Sequence, residues 1–298
     1  MAIIKKYRFI LCFFLPVLVG CIRDVTLEES KKAREMVLNG ILETGKDTIS
    51  VYLSYTRAIA ATTTFEAIKN ADIRLFEGGE EVGRFDWSDS SAYILPFSVT
   101  PGQTYKVEAK ADRKTVWAET TVPNSIDATI GKAIPGNYLD PFQISLNDSE
   151  DDDNYYWISA TGNEGPSENP VINIACVLYS SFEYADDFNQ RISQNGDFHF
   201  EYDYYLRFTN KEISNDVARI VFSPQCISYP KKVFLLSTDY HLDRYMKSSL
   251  LLQDMDLYAE DSPIIYSPFP MYSNINGGTG IFGSFNSVSK VFTKTTNP

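Results

Sequence analysis

The chain has 298 residues, 27 Lys+Arg against 39 Asp+Glu for a formal net charge of −12, and 44% hydrophobic content. An acidic excess of this size excludes a general nucleic-acid binder, because phosphates require stripes of Lys and Arg, and it opposes broad docking on anionic lipid. The hydrophobic content excludes a disordered chain, and the length exceeds what one core ordinarily serves, so two domains are expected.

Lys5, Lys6 and Arg8 precede an apolar run from Phe9 to Val19 that contains Pro16. Spanning a bilayer as a helix takes about 20 apolar residues. The run is shorter and reads as a cleaved export signal over residues 1–20. It ends on Leu18-Val19-Gly20-Cys21. The small Gly20 admits a peptidase to the backbone, and the Cys21 thiolate is the nucleophile that accepts lipid. This pattern resembles the bacterial lipoprotein box; an ordinary signal with a chance cysteine is the competing reading. One acyl chain binds a membrane marginally, at about 0.8 kcal/mol per buried methylene, whereas two or three, palmitate among them, hold durably. Residues 21–33 are then a lipidated cysteine and a polar tether. Ile22 in place of Asp favours the outer membrane by analogy with enterobacterial sorting, with its surface and periplasmic faces both open. Loss of Lys5, Lys6 and Arg8 leaves 24 basic residues against 39 acidic, a balance of −15.

Of four cysteines, Cys12 leaves with the signal and Cys21 is acylated. Cys176 and Cys226 remain in apolar β-like runs of an oxidising compartment. They form either a disulfide or two buried thiols, and spacing does not choose between these.

Residues 34–123 read as a first domain of short strands. Val37-Leu38 and Ile41-Leu42 flank a turn signal at Asn39-Gly40, and Val51, Leu53 and Tyr55 alternate, as do Ile73 and Leu75, then Tyr105, Val107 and Ala109. Glu77-Gly78-Gly79-Glu80 predicts a hairpin loop, and Pro101-Gly102 a turn. Period-two patterning over about 90 residues predicts an immunoglobulin-like or transthyretin-like β-sandwich. Without a Cys-Trp-Cys arrangement, an antibody-type domain is excluded.

Val122-Pro123-Asn124 predicts the boundary to a second antiparallel β domain, residues 124–298. Strands are expected at Phe142 to Leu146, Tyr155 to Ala160, Val171 to Tyr179, Phe198 to Thr209, Val217 to Phe222 and Lys232 to Leu236. Leu242, Tyr245, Met246, Ser249 and Leu250 fall at helical spacing, predicting a helix over about 239–252 with N-cap candidates in Ser237-Thr238-Asp239. Pro263, Pro268 and Pro270 then enforce extended backbone, and an extended Gly-rich tail follows.

An acidic turn before a Tyr-Tyr strand (Asp152, Asp153, Asn154, Tyr155, Tyr156) and a tail from Pro268 through Asn274 and Asn276 to Gly280-Ile281-Phe282-Gly283 accompany the lipoprotein box, the sandwich and the helix. Together they resemble domain-of-unknown-function family 4249, a Bacteroidota lipoprotein family, over nearly the whole mature chain. That family has no assigned catalytic residues, so none carries over. The resemblance implies an accessory role beside TonB-dependent outer-membrane receptors.

Several motifs are decoys. Gly278-Thr279-Gly280-Ile281-Phe282-Gly283 matches G-x-G-x-x-G, but no helix pattern or acidic residue follows it, so a dinucleotide site is excluded. Asp148, Glu150, Asp152 and Asn154 alternate as calcium ligands do, yet Asp153 and Ser159 stand where an EF-hand needs Gly and Glu. A solvated turn is the plainer account, and Asp148, Glu150 and Asp152 stay a weak calcium candidate. His199 and His241 lack converging ligands for zinc. No spacing selects a carboxylate pair for glycoside cleavage. Aromatics crowd at Tyr155-Tyr156-Trp157, at Tyr202, Tyr204 and Tyr205, and at Tyr266, Phe269 and Tyr272. Half of each cluster is expected in the core, and the outward half, Tyr266, Phe269 and Tyr272 above all, is the candidate platform for a ligand or partner.

The expected function is a non-enzymatic, outer-membrane-anchored accessory lipoprotein that binds a small solute or a transporter, without a cofactor. The alternatives are a structural or surface-assembly lipoprotein and, behind that, a hydrolase.

Overall fold

Strict alternation from Met36 to Glu43 puts Met36, Leu38 and Leu42 inside and their neighbours at the rim, the signature of a strand with one buried face. The computed structural model describes residues 34–56, 66–133, 141–148, 153–162, 176–183, 185–186, 190–192, 198–212, 217–226, 231–259 and 270–293. Its first eight strands are β1 (Met36–Glu43), β2 (Ile49–Tyr55), β3 (Asp72–Glu77), β4 (Glu80–Arg84), β5 (Asp86–Ser88), β6 (Ala92–Leu95), β7 (Thr104–Ala111) and β8 (Lys114–Thr121). Then come β9 (Asp127–Lys132), β10 (Phe142–Asn147), β11 (Tyr155–Thr161), β12 (Val177–Ser180), β13 (Gln190–Ile192), β14 (Phe200–Tyr202), β15 (Leu206–Thr209), β16 (Val217–Gln225) and β17 (Lys231–Thr238). Helix α1 (Tyr240–Ala259) and β18 (Thr279–Phe292) complete the order. No described helix is long and apolar enough to cross a membrane. The expected signal, Cys21 and the expected tether lie outside the described residues.

The fold is mainly β, and one sheet runs through both halves in the order β15-β11-β17-β18-β1-β2-β6-β5. A four-stranded sheet, β4-β3-β7-β8, covers its N-terminal end as an immunoglobulin-like sandwich whose core holds Leu38, Leu53, Leu75 and Val107. A six-stranded sheet, β13-β14-β12-β16-β10-β9, is layered with the other end over Phe142, Ile158, Ile220 and Leu235. The Gly78-Gly79 hairpin forms as predicted, with both glycines at positive φ and Glu77 opposite Glu80.

Three expectations change. The C-terminal segment is not an irregular tail of a separate second domain. It ends in the 14-residue β18, which pairs parallel with β1 and antiparallel with β17 and places Phe282 in the N-terminal core. The boundary at Val122-Pro123-Asn124 therefore divides the chain but not the sheet. Asn39-Gly40 is no turn: β1 runs straight through it, and Gly40 is small because a Cβ there would meet Val51 at 3.1 Å and Phe282 at 3.2 Å. The single strand expected over Phe198 to Thr209 breaks at Tyr204, φ 78°, so that β14 enters the six-stranded sheet and β15 the long one.

Helix α1 lies on the face of the long sheet away from the six-stranded one. Its apolar stripe, Leu242, Met246 and Leu250, packs on Trp157, Phe234, Leu236 and Phe285. The strand beneath is consequently buried on both faces: Val233 and Leu235 of β17 belong to one core, Phe234 and Leu236 to the other. Asp239 fixes where the helix starts. Its Oδ1 accepts the N–H of Leu242 at 3.0 Å and of Ser284 at 2.9 Å, while Oδ2 accepts Thr120 Oγ1 at 2.8 Å and the N–H of His241 at 3.2 Å. One N-cap thus ties α1, β18 and β8 together. Burial pushes its carboxyl above the ordinary carboxylate range, against those donors.

Cys176 and Cys226 form a disulfide with Cα atoms 4.8 Å apart, closing a separation of 50 residues at the edge of the second core. Cross-linking a loop of this length restricts the unfolded chain, so the Cys176→Ala, Cys226→Ala double variant is expected to lose about 2–4 kcal/mol, read as a lower urea midpoint. An unchanged midpoint would show that the bridge contributes no stability.

Candidate functional site

The helix face that turns away from the apolar stripe is polar. Tyr240, Asp243, Arg244, Lys247, Ser248 and Leu251 recur at i, i+3, i+4, i+7, i+8 and i+11, one side of a helix. That side walls a cavity of about 640 Å³. Tyr155 of β11 and Arg207 of β15 supply another wall, and Pro270, Met271 and Tyr272, on the approach to β18, supply the rim.

Behind the cavity lies an ion network. Arg207 donates from Nε and Nη2 to the two oxygens of Asp243, each at 3.0 Å, a bidentate pair. Trp157 Nε1 donates to the same carboxylate at 3.0 Å. Arg207 Nη1 reaches Asp186 at 3.0 Å, and Lys247 Nζ reaches Asp186 at 2.5 Å. Two cations and two carboxylates cancel. Both carboxylates are held by cations.

Arg244 is different. Its guanidinium lies 5.7 Å from the ring centres of both Tyr240 and Tyr272, which stand at 90° to each other, and it has no carboxylate partner among the described residues. Tyr272 is fixed from behind: its hydroxyl meets His241 Nδ1 at 2.7 Å, its ring stacks on that imidazole, and its N–H donates to Ser248 Oγ at 3.0 Å. Burial raises the Tyr272 phenol above its ordinary pKa, and does the same to Tyr155. The hydroxyls of Tyr155 and Tyr240 make no hydrogen bond among the described residues.

Of the aromatic trio expected as a platform, Tyr272 lines this cavity, while Tyr266 and Phe269 lie outside the described residues. Tyr202 and Tyr205 are buried, Tyr156 and Trp157 as well, and Tyr204 is 41% exposed. The calcium candidate resolves only at Asp148, whose carboxylate accepts Asn154 Nδ2 at 3.2 Å and the Tyr156 hydroxyl at 2.9 Å; Glu150 and Asp152 lie outside the described residues. Among the described residues no cluster of His, Cys, Asp and Glu could hold a metal. His241 serves as a support for Tyr272. Sequence reasoning missed Arg207, Tyr240, Asp243, Arg244 and Lys247. The available signal was the polar repeat on α1, which reads like any solvated helix face, and one Arg inside an apolar strand.

No curated protein matches the chain. Solved structures similar to parts of it include a putative membrane-anchored protein from Corynebacterium diphtheriae, at 8% identity, 70% of this chain, 55% of that one and a TM-score of 0.20. The chain thus matches about half the length of that protein. A titin A168–A169 fragment follows at 10% identity, 69% and 89% coverage and a TM-score of 0.21. The collagen adhesin of S. aureus stands at 9% identity, 87% and 95% coverage and a TM-score of 0.18. The family described as "Domain of unknown function (DUF4249)" matches residues 22–291, and the chain belongs to it.

Proposed function

We propose that this is a non-enzymatic lipoprotein, anchored in the outer membrane through Cys21, that captures a small solute for a TonB-dependent receptor. The observation that carries solute capture is the cavity of about 640 Å³, because the hydroxyls of Tyr155 and Tyr240 that line it make no hydrogen bond among the described residues. Its volume falls within the range of about 300–1,000 Å³ usual for small-ligand sites. The anchor supports the rest: a tethered binder beside a pore raises the local solute concentration without any new contact.

Two measurements test this reading. Replacing Cys21 by Ser should move the protein from the membrane to the soluble fraction, and native lipidated material purified from solubilised membranes should bring down a β-barrel receptor in stoichiometric amount. An unmodified thiol at the mature N-terminus would remove the anchor, and the absence of any barrel would remove the receptor. A structural, surface-assembly role would then take its place.

A further inference from the structure

Resting on solute capture in this cavity, we infer that the ligand is a hydroxylated organic monoanion, a carboxylate-bearing sugar, held through Arg244. The charge count comes first. Arg207 pairs with Asp243 and Asp186, and Lys247 with Asp186, so among the described residues lining the cavity Arg244 is the cation without a carboxylate partner. A single guanidinium with unused N–H donors matches a single carboxylate, which it can grip in the bidentate mode. Tyr240 and Tyr272 hold it from the sides by cation–π contact, restricting the arginine before any ligand arrives.

The remaining groups specify the body of the ligand. The hydroxyls of Tyr155 and Tyr240 can each donate and accept, and Tyr155 is only partly exposed, so an apolar ligand would leave its hydroxyl without a partner. A polyol satisfies both, with its C–H faces against Met271, Leu251 and the tyrosine rings. The space admits a monosaccharide or a disaccharide.

Galacturonate and galactose differ only in a carboxylate against a hydroxymethyl group, which makes them the deciding pair. Calorimetry on the full chain in detergent should show galacturonate, glucuronate or N-acetylneuraminate binding at least tenfold tighter than galactose. Affinity should fall as salt is raised. Arg244→Gln should weaken the acid sugar at least tenfold with little effect on thermal unfolding, since Arg244 has no ion pair among the described residues. Galactose binding as tightly as galacturonate, or an Arg244→Gln variant that binds normally, overturns the charge assignment and leaves solute capture standing. Inorganic phosphate binding tighter than every acid sugar overturns it in favour of a dianion site. No heat with any of these probes overturns it as well, and the receptor pull-down, which does not use the cavity, decides the accessory role separately.

Discussion

Asp243→Ala is expected to destabilise the protein by about 3–5 kcal/mol, because it strands a buried guanidinium. The Asp243 and Arg207 side chains are 3% and 8% exposed, and the carboxylate also receives the indole N–H of Trp157. Truncation removes the acceptor that Arg207 and the Trp157 indole share, and leaves Arg207 its ion pair with Asp186. At roughly 2–4 °C per kcal/mol for chains of this order of size, the melting temperature should drop by on the order of 10 °C. The Asp243→Leu, Arg207→Met double variant removes both charges together, and should recover most of the loss, as apolar replacement of a buried pair is often neutral. Should Asp243→Ala melt within about 1 kcal/mol of the parent, the network would be solvated and the cavity wall softer than described.

The sequence-level reading succeeded where a strand has one wet face. In β7, alternation between Tyr105, Val107 and Ala109 identifies strand and buried side at once. It says less where burial is two-sided or pairing is remote. The strand expected at Lys232 to Leu236 forms as Lys231–Thr238, but sheet and helix bury both its faces, so its periodicity says nothing about what covers which. Nothing local indicates that β18 pairs with β1 from the far end of the chain. In the Gly-rich stretch, Gly277 and Gly278 do form a turn, and Gly280 then serves close backbone approach to Leu38. Asn39, which looked like a turn residue, accepts the N–H of Ile281 with its side chain and so helps set that register. The cavity was illegible for a related reason. Tyr240, Asp243, Arg244 and Lys247 form a polar stripe, and only the rim at Met271 and Tyr272, brought across by tertiary packing, turns that stripe into a wall.

Gly280→Ala should be strongly damaging, on the order of 5 kcal/mol. Gly280 has φ 117°, a conformation that L side chains rarely adopt, and strain of this kind costs about 1–3 kcal/mol by itself. An added Cβ would also lie 2.1 Å from the carbonyl oxygen of Leu38 and 2.9 Å from Asn39 Oδ1. The first of these is backbone of the paired strand, so relief requires opening the parallel β1–β18 ladder where Leu38 faces Gly280. That ladder joins the two sandwiches through one sheet, and its loss should expose both Phe282 and the helix-facing Phe285. Gly131→Ala is the control: Gly131 lies in β9 at ordinary φ with nothing within 4 Å of its would-be Cβ, so the change should be neutral or slightly stabilising. Thermal unfolding of the two variants side by side reads the difference. A Gly280→Ala protein that melts within 2 °C of the parent, against about 10 °C or more expected, would mean the strands are farther apart than the shared sheet requires.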